Sequence, residues 1–176
     1  MIKGSCACGS VRFEVEAVRA LTHRHCTICR KLTGASFATY AHVEKAKFHW
    51  LGGQKLVRRY ESAPGSFRAF CQKCSSLAPG QAPYLDTISV PAGLLDGDPG
   101  VRPKLHVFTA SKAAWWEIAD DLPQYSTWMS GYEPKPRTRA SKRKRRPAST
   151  DRWRRPRLLF ASSAILTFPC CAIAPE

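Results

Sequence analysis

Long apolar runs are scarce in this 176-residue chain, and the opening residues Met1-Ile2-Lys3-Gly4-Ser5-Cys6 hold nothing of the kind that a secretory leader uses. The expectation is a cytoplasmic protein, where thiols stay reduced and closely spaced cysteines are better explained as metal ligands than as disulfides. The most apolar late stretch, Leu158 to Ala174, is interrupted by Pro169. It is shorter than the roughly 20 residues a bilayer crossing needs, so no membrane partner is expected. Amphipathic helices of ordinary length are missing before residue 130, which predicts mostly β structure. A Ser/His/Asp arrangement and a phosphate-cradling glycine loop are both absent from the pattern. Acidic side chains are few, 13 against 28 Lys and Arg, for a formal charge of +15. Pro134 to Glu176 alone holds 12 basic residues against Asp151 and Glu176, a surplus of +10, which leaves +5 for the first 133 residues. No electrostatic argument for a nucleic-acid partner therefore attaches to the folded part, and such a partner is expected only through the tail.

What the chain does have is cysteine in pairs: Cys6-Ala-Cys8, Cys26-Thr-Ile-Cys29 and Cys71-Gln-Lys-Cys74. Each pair can present two thiolates to one ion, and four sulfurs make a tetrahedral zinc site. Six sulfurs are too few for two closed sites, which suggests one closed site and one with open coordination positions. A closed site holds a fold together, whereas an open one can bind water, a thiol or a carbonyl oxygen. Cys170 and Cys171 are adjacent and cannot easily chelate one tetrahedral ion, so they stay out of this count.

The elements between the pairs are legible as strands. Val11, Phe13 and Val15 alternate with charged residues, and Phe37, Thr39, Ala41 and Val43 repeat the period of two. Phe48 to Leu51 and Leu56 to Tyr60 flank Gly52-Gly53-Gln54-Lys55 and read as a hairpin. Phe67 to Phe70 runs directly into Cys71, the strand-then-knuckle order of zinc ribbons, and Thr87 to Pro91 and Leu105 to Thr109 read as further strands. Arg30 and Lys31 open a short helix, either as a solvated start or as positive charge that favours the Cys26 and Cys29 thiolates. Trp115 and Trp116 either line a pocket or fill a core edge. From Tyr132 the composition turns to proline and basic residues, which cannot bury apolar area. The expected organisation is one zinc domain over residues 1–131 and a disordered or low-order basic tail over 132–176.

Gly4-Ser5-Cys6-Ala7-Cys8-Gly9-Ser10-Val11, His25-Cys26-Thr27-Ile28-Cys29-Arg30-Lys31, Phe70-Cys71-Gln72-Lys73-Cys74 and Ser111-Lys112 to Trp115-Trp116-Glu117-Ile118, with Asp120-Asp121-Leu122-Pro123, occur in that order. Together they resemble the family of glutathione-dependent formaldehyde-activating enzyme and centromere protein V, the GFA family. The resemblance covers about residues 3 to 128. It implies a mainly β, zinc-stabilised β-tent fold with short helical turns and two zinc ions. Cys6, Cys8, Cys71 and Cys74 would hold the structural ion. Cys26 and Cys29 would hold the second, catalytic ion with a cysteine two residues before Cys26. Here that position is Arg24, so the second site is depleted, completed by His23 or His25, or not stably occupied. Ser75 stands where members commonly carry glycine, at a cost of about 1 kcal/mol if the knuckle needs φ > 0.

The implied reaction is addition of glutathione to an aldehyde or its reverse, a carbon-sulfur lyase reaction on a small thiol or aldehyde substrate. Arg30, Lys31 and one of the two tryptophans would line the pocket of an anionic thiol. The competing class is a non-catalytic zinc module that binds a partner, with the basic tail adding affinity for a polyanion.

Overall fold

Alternation of apolar and polar side chains is what builds this molecule. The structure, a computed structural model, describes residues 1–63, 66–81 and 86–129. The tail expected over 132–176 lies outside them. In chain order come β1 (Ile2–Ser5), β2 (Arg12–Val15), β3 (Ala20–Arg24), α1 (Thr27–Thr33), β4 (Ala38–Glu44), β5 (Phe48–Gly52) and β6 (Val57–Ala63). They are followed by β7 (Ser66–Cys71), β8 (Gly80–Gln81), β9 (Thr87–Pro91), β10 (Pro103–Val107) and β11 (Gln124–Tyr125). The protein is mainly β with short helical turns, as the lack of helical periodicity requires. Among the described residues no helix is long and apolar enough to cross a membrane.

Three sheets result: β1-β2-β5, the six-stranded β11-β10-β3-β4-β9-β8, and the β6-β7 ribbon. The inward faces of the first two supply a common core of Phe13, Val15, Leu21, Ala41, Val43, Phe48 and Val90, all buried. Phe13 stacks on Phe48 at 5.4 Å and meets Trp50 edge-on at 6.4 Å, the offset arrangements that ring quadrupoles favour.

Two expectations are corrected. The hairpin across Gly52-Gly53-Gln54-Lys55 does not form, because β5 pairs with β2 and β6 pairs with β7. Gly53 instead carries the chain past the β1–β2 turn, with φ +73° and an ideal Cβ position only 1.9 Å from the Ser10 carbonyl oxygen. Only glycine fits a backbone that close. The strand expected over Leu105 to Thr109 also ends early, since Phe108 takes φ 62° and Thr109–Ser111 forms a 3₁₀ turn. Both pairings that hold β10 in place, to β3 and to β11, are parallel.

Candidate functional site

The first constellation stands where two knuckles meet. Cys6 follows β1, and the Cys6 amide donates to the Val11 carbonyl at 3.0 Å while the Gly9 amide donates to the Cys6 carbonyl at 2.8 Å. Cys71 ends β7, and the Ser75 amide donates back to the Cys71 carbonyl at 2.9 Å. Ser75 has φ 61°, so this knuckle does need the left-handed conformation that the sequence reading anticipated. The Ala7 amide donates to Ser76 Oγ at 3.1 Å and ties one knuckle to the other across 69 residues.

The four sulfurs of Cys6, Cys8, Cys71 and Cys74 lie within 4.8 Å of one another. Cys6 and Cys8 are 3.5 Å apart, Cys8 and Cys71 4.0 Å. With zinc-sulfur bonds of about 2.3 Å, a tetrahedron has edges of about 3.8 Å, so four thiolates need little movement to close on an ion. The surroundings favour the anions. The Val11 amide donates to Cys6 Sγ at 3.3 Å. Hydrogen bonding to Ser76 pulls Cys74 down to about 5, and Ser10 does the same for Cys8 in direction, while burial pushes Cys6 up. These cysteines form a group that can hold a metal ion, with sulfur donors only.

The second pair sits at the start of α1. Cys26 caps the helix, accepting the Cys29 amide at 3.2 Å. The two sulfurs are joined as a disulfide in the structure, with Cα atoms 5.2 Å apart, a spacing that equally serves a reduced, chelating pair. Alternation along β3 then sorts their neighbours. Arg24 faces the Cys26 side, and its guanidinium stacks on Tyr40, Phe108 and Trp128 at 5.4, 5.6 and 4.9 Å. His23 and His25 face the other way, toward Phe37 and His106. Neither histidine belongs to the converging sulfur group.

His25 is fully buried and joins a chain that no sequence motif announced. His25 Nε2 lies 2.8 Å from His106 Nδ1, and His106 Nε2 lies 3.0 Å from the Asp120 carboxylate. On the other edge of the His25 ring, Nδ1 is buried and makes no hydrogen bond. Burial, then the nearby His106, holds His25 at about 4, so it is neutral at pH 7.

A cleft of roughly 280 Å³ opens on the Cys26 side, walled by Arg24, Cys26, Tyr40, His42, Arg68 and Trp128. Arg30, Lys31, Trp115 and Trp116 do not line it. Arg30 donates through Nε to the His25 carbonyl at 3.3 Å, Trp115 is 72% exposed, and Trp116 packs on Phe37 at 5.9 Å.

His42, hydrogen-bonded to Thr22 Oγ1 at 2.9 Å, is lowered to about 4 by burial and then by Arg24 and Arg19. The folded state therefore refuses a proton that the unfolded state accepts near pH 6.5. Stability is expected to be complete above pH 6.5 and to fall as the pH drops from there toward 4. Urea midpoints taken between pH 7.5 and 4 should show this slope, and a shallower one in His42→Gln.

A family model described as glutathione-dependent formaldehyde-activating enzyme matches residues 1–111. Among solved structures, the chain is similar to a crystal structure of a Rhodobacter sphaeroides protein from a structural-genomics programme, with 23% identity and a TM-score of 0.47. That likeness covers 55% of this chain and 89% of the other. No curated protein matches the chain.

Proposed function

Because this chain belongs to the glutathione-dependent formaldehyde-activating enzyme family, we propose that it makes or breaks adducts between a small thiol, with glutathione as the type case, and an aldehyde. In the forward direction the thiol sulfur bonds to the carbonyl carbon, the C=O double bond becomes a single bond, and the thiol proton ends on the new hydroxyl. The carbon-sulfur lyase direction reverses these changes. The observation that carries this reading is Cys26 in the wall of a cleft large enough for a small adduct. Holding sulfur and carbonyl together is the main gain, since both partners already react in water.

In this reading Cys6, Cys8, Cys71 and Cys74 hold a structural zinc ion, which supplies no chemistry to the substrate and fixes the two knuckles. Cys26, reduced, is the reactive thiol at the substrate, while its partner Cys29 is fully buried and does not line the cleft. For a second ion the residues do not fit. Two sulfurs and the Arg24 guanidinium leave a tetrahedron half open, with a cation where the third donor belongs. No step is therefore assigned to a second zinc. The reducing cytoplasm suits a pair that must stay as thiols.

The test is the rate of adduct formation from formaldehyde and glutathione, followed by NMR exchange with reduced, zinc-loaded protein. Acceleration over the protein-free rate is expected, with Cys26→Ser, which removes the thiolate that carries the substrate thiol's proton to the carbonyl oxygen, losing about a hundredfold. Oxidised protein is expected to be inactive. One zinc per chain with no acceleration would instead return the non-catalytic zinc module, the reading that Arg24 at the third ligand position favours.

A further inference from the structure

We propose that Cys26 and Cys29 form a thiol-disulfide exchange pair for small-molecule disulfides, with Cys26 as the attacking sulfur and Cys29 as the resolving one. This goes beyond the adduct reading, which gives Cys29 no part. Its test contains no aldehyde, so either proposal can fail while the other stands.

Three observations carry it. The first is reach. The two sulfurs are bonded in the structure across Cα atoms 5.2 Å apart, while α1 keeps its full length from Thr27 to Thr33 with Cys26 as its cap. Disulfides span Cα separations of about 4.4 to 6.8 Å, so the bridge asks no rearrangement of the backbone.

The second is a difference in access. Cys26 is half-buried and lines the cleft of roughly 280 Å³, whereas Cys29 is fully buried in a cluster with Ala38 and Tyr40. A disulfide that enters the cleft therefore meets Cys26 and not Cys29. The sulfur within reach of Cys29 is that of Cys26, and this is the placement a resolving thiol needs.

The third is the support for charge on Cys26. The Cys29 amide donates to Cys26 Sγ at 3.2 Å, which gives a thiolate there a hydrogen-bond donor once the bridge is open. No acidic residue in the first turn of α1 opposes that charge.

Arg24 leaves the pair free for this chemistry. A third thiolate at that position would lock both sulfurs on an ion, and a guanidinium cannot. The misfit for a second zinc and the fit for exchange thus have one cause.

The reaction balances without a metal. The Cys26 thiolate attacks one sulfur of the entering disulfide, whose own S–S bond breaks as a mixed disulfide forms on Cys26. The departing thiolate takes up the proton that Cys26 gave up. Cys29 then loses its proton and attacks the Cys26 sulfur, the mixed disulfide breaks, the second thiolate leaves with that proton, and the Cys26–Cys29 bond closes. Two electrons pass from the protein's sulfurs to those of the small molecule, which is the oxidant. Two molecules of a small thiol run the steps backward and restore the pair. The cleft sets the size class, since it admits the sulfur end of a small disulfide and holds back one fixed on a folded protein.

The experiment mixes full-length, reduced, zinc-loaded protein with excess bis(2-hydroxyethyl) disulfide, stops the reaction with acid, and reads intact mass and peptide maps. The wild type is expected to end with the Cys26–Cys29 bond and no lasting adduct on either residue, releasing two molecules of mercaptoethanol per pair closed. Cys29→Ser should accumulate mercaptoethanol on Cys26, and Cys26→Ser should slow modification of the buried Cys29 at least about a hundredfold relative to Cys26 in Cys29→Ser. Zinc content and thermal midpoint verify that each variant is folded, and if Cys29→Ser does not fold, Cys29→Ala and the wild-type maps carry the comparison. A wild-type pair that stays as thiols, a lasting adduct on wild-type Cys26, or an adduct on Cys29 that forms as fast as one on Cys26 overturns the proposal. Equal rates with an exposed disulfide on a folded protein overturn the small-molecule assignment.

Discussion

Replacing Cys71 with serine is expected to remove most of the protein's stability. Apart from an ion, the link between the two knuckles is thin. It includes the Ala7 amide on Ser76 Oγ, the approach of the Cys8 and Cys71 sulfurs, and a small cluster in which Cys6, Val11 and Cys71 pack with Trp50, Leu56, Val57 and Cys74. A two-stranded ribbon such as β6-β7 is marginal by itself. A structural zinc site contributes on the order of 10 kcal/mol at neutral pH, which is comparable with the entire net stability of an ordinary domain. Three thiolates and a serine cannot keep that affinity. Calorimetry should show the cooperative transition of the wild type lost or lowered by tens of degrees, with zinc content near zero. A strong chelator added to the wild type should produce the same state. Hydrogen exchange should locate the first loss in β6 and β7, at amides such as those of Arg59 and Ala69, before the six-stranded sheet opens. A Cys71→Ser protein without metal that melted within a few degrees of the wild type would refute the four-sulfur anchor.

The second large effect is expected from Arg24→Cys. Reduced wild-type protein should bind one zinc ion per chain and the variant two. Alternation along β3 puts position 24 on the side where Cys26 lies, so a sulfur there joins Cys26 and Cys29 in a three-thiolate set with one position open. The substitution removes a cation that repels the ion and supplies a donor that binds it. It also forfeits the three aromatic contacts of the guanidinium, on the order of 2 kcal/mol together, which is small beside the gain. Arg24→Met separates the two causes, because it removes the charge without adding a donor and should stay at one zinc. Elemental analysis after gel filtration checks this, and the adduct-forming rate of the two-zinc variant can be compared with the wild type. A stoichiometry of one in Arg24→Cys would show that more than this residue separates the pair from a metal site.

The cysteine spacings were legible because chelation by a knuckle is local: two sulfurs two or three residues apart must face one ion wherever the chain goes. The strands around Phe13 and Val43 and the run into Cys71 were legible for a similar reason, since period-two alternation records a buried face. The three cysteine motifs that resembled a known family fall inside the match over residues 1–111, while the tryptophan and Asp120-Asp121-Leu122-Pro123 motifs lie beyond it. The Gly52-Gly53 turn misled because a turn states where a chain bends and not which strand it pairs with next. The answer depended on Ser10, more than 40 positions away, whose carbonyl leaves no room for a Cβ at residue 53.

Tertiary structure alone decided the rest of the site. His25 meets His106 across 81 residues, and nothing in either neighbourhood announces the other. Arg68 read as one more polar residue on an alternating strand until β7 and β8 closed a cleft around it. What the sequence determined by itself was which atoms can bind metal and which faces are buried, because both follow from contacts a few residues long. Which charges share a cleft was settled by strand order, and strand order is a sum over contacts between distant parts of the chain.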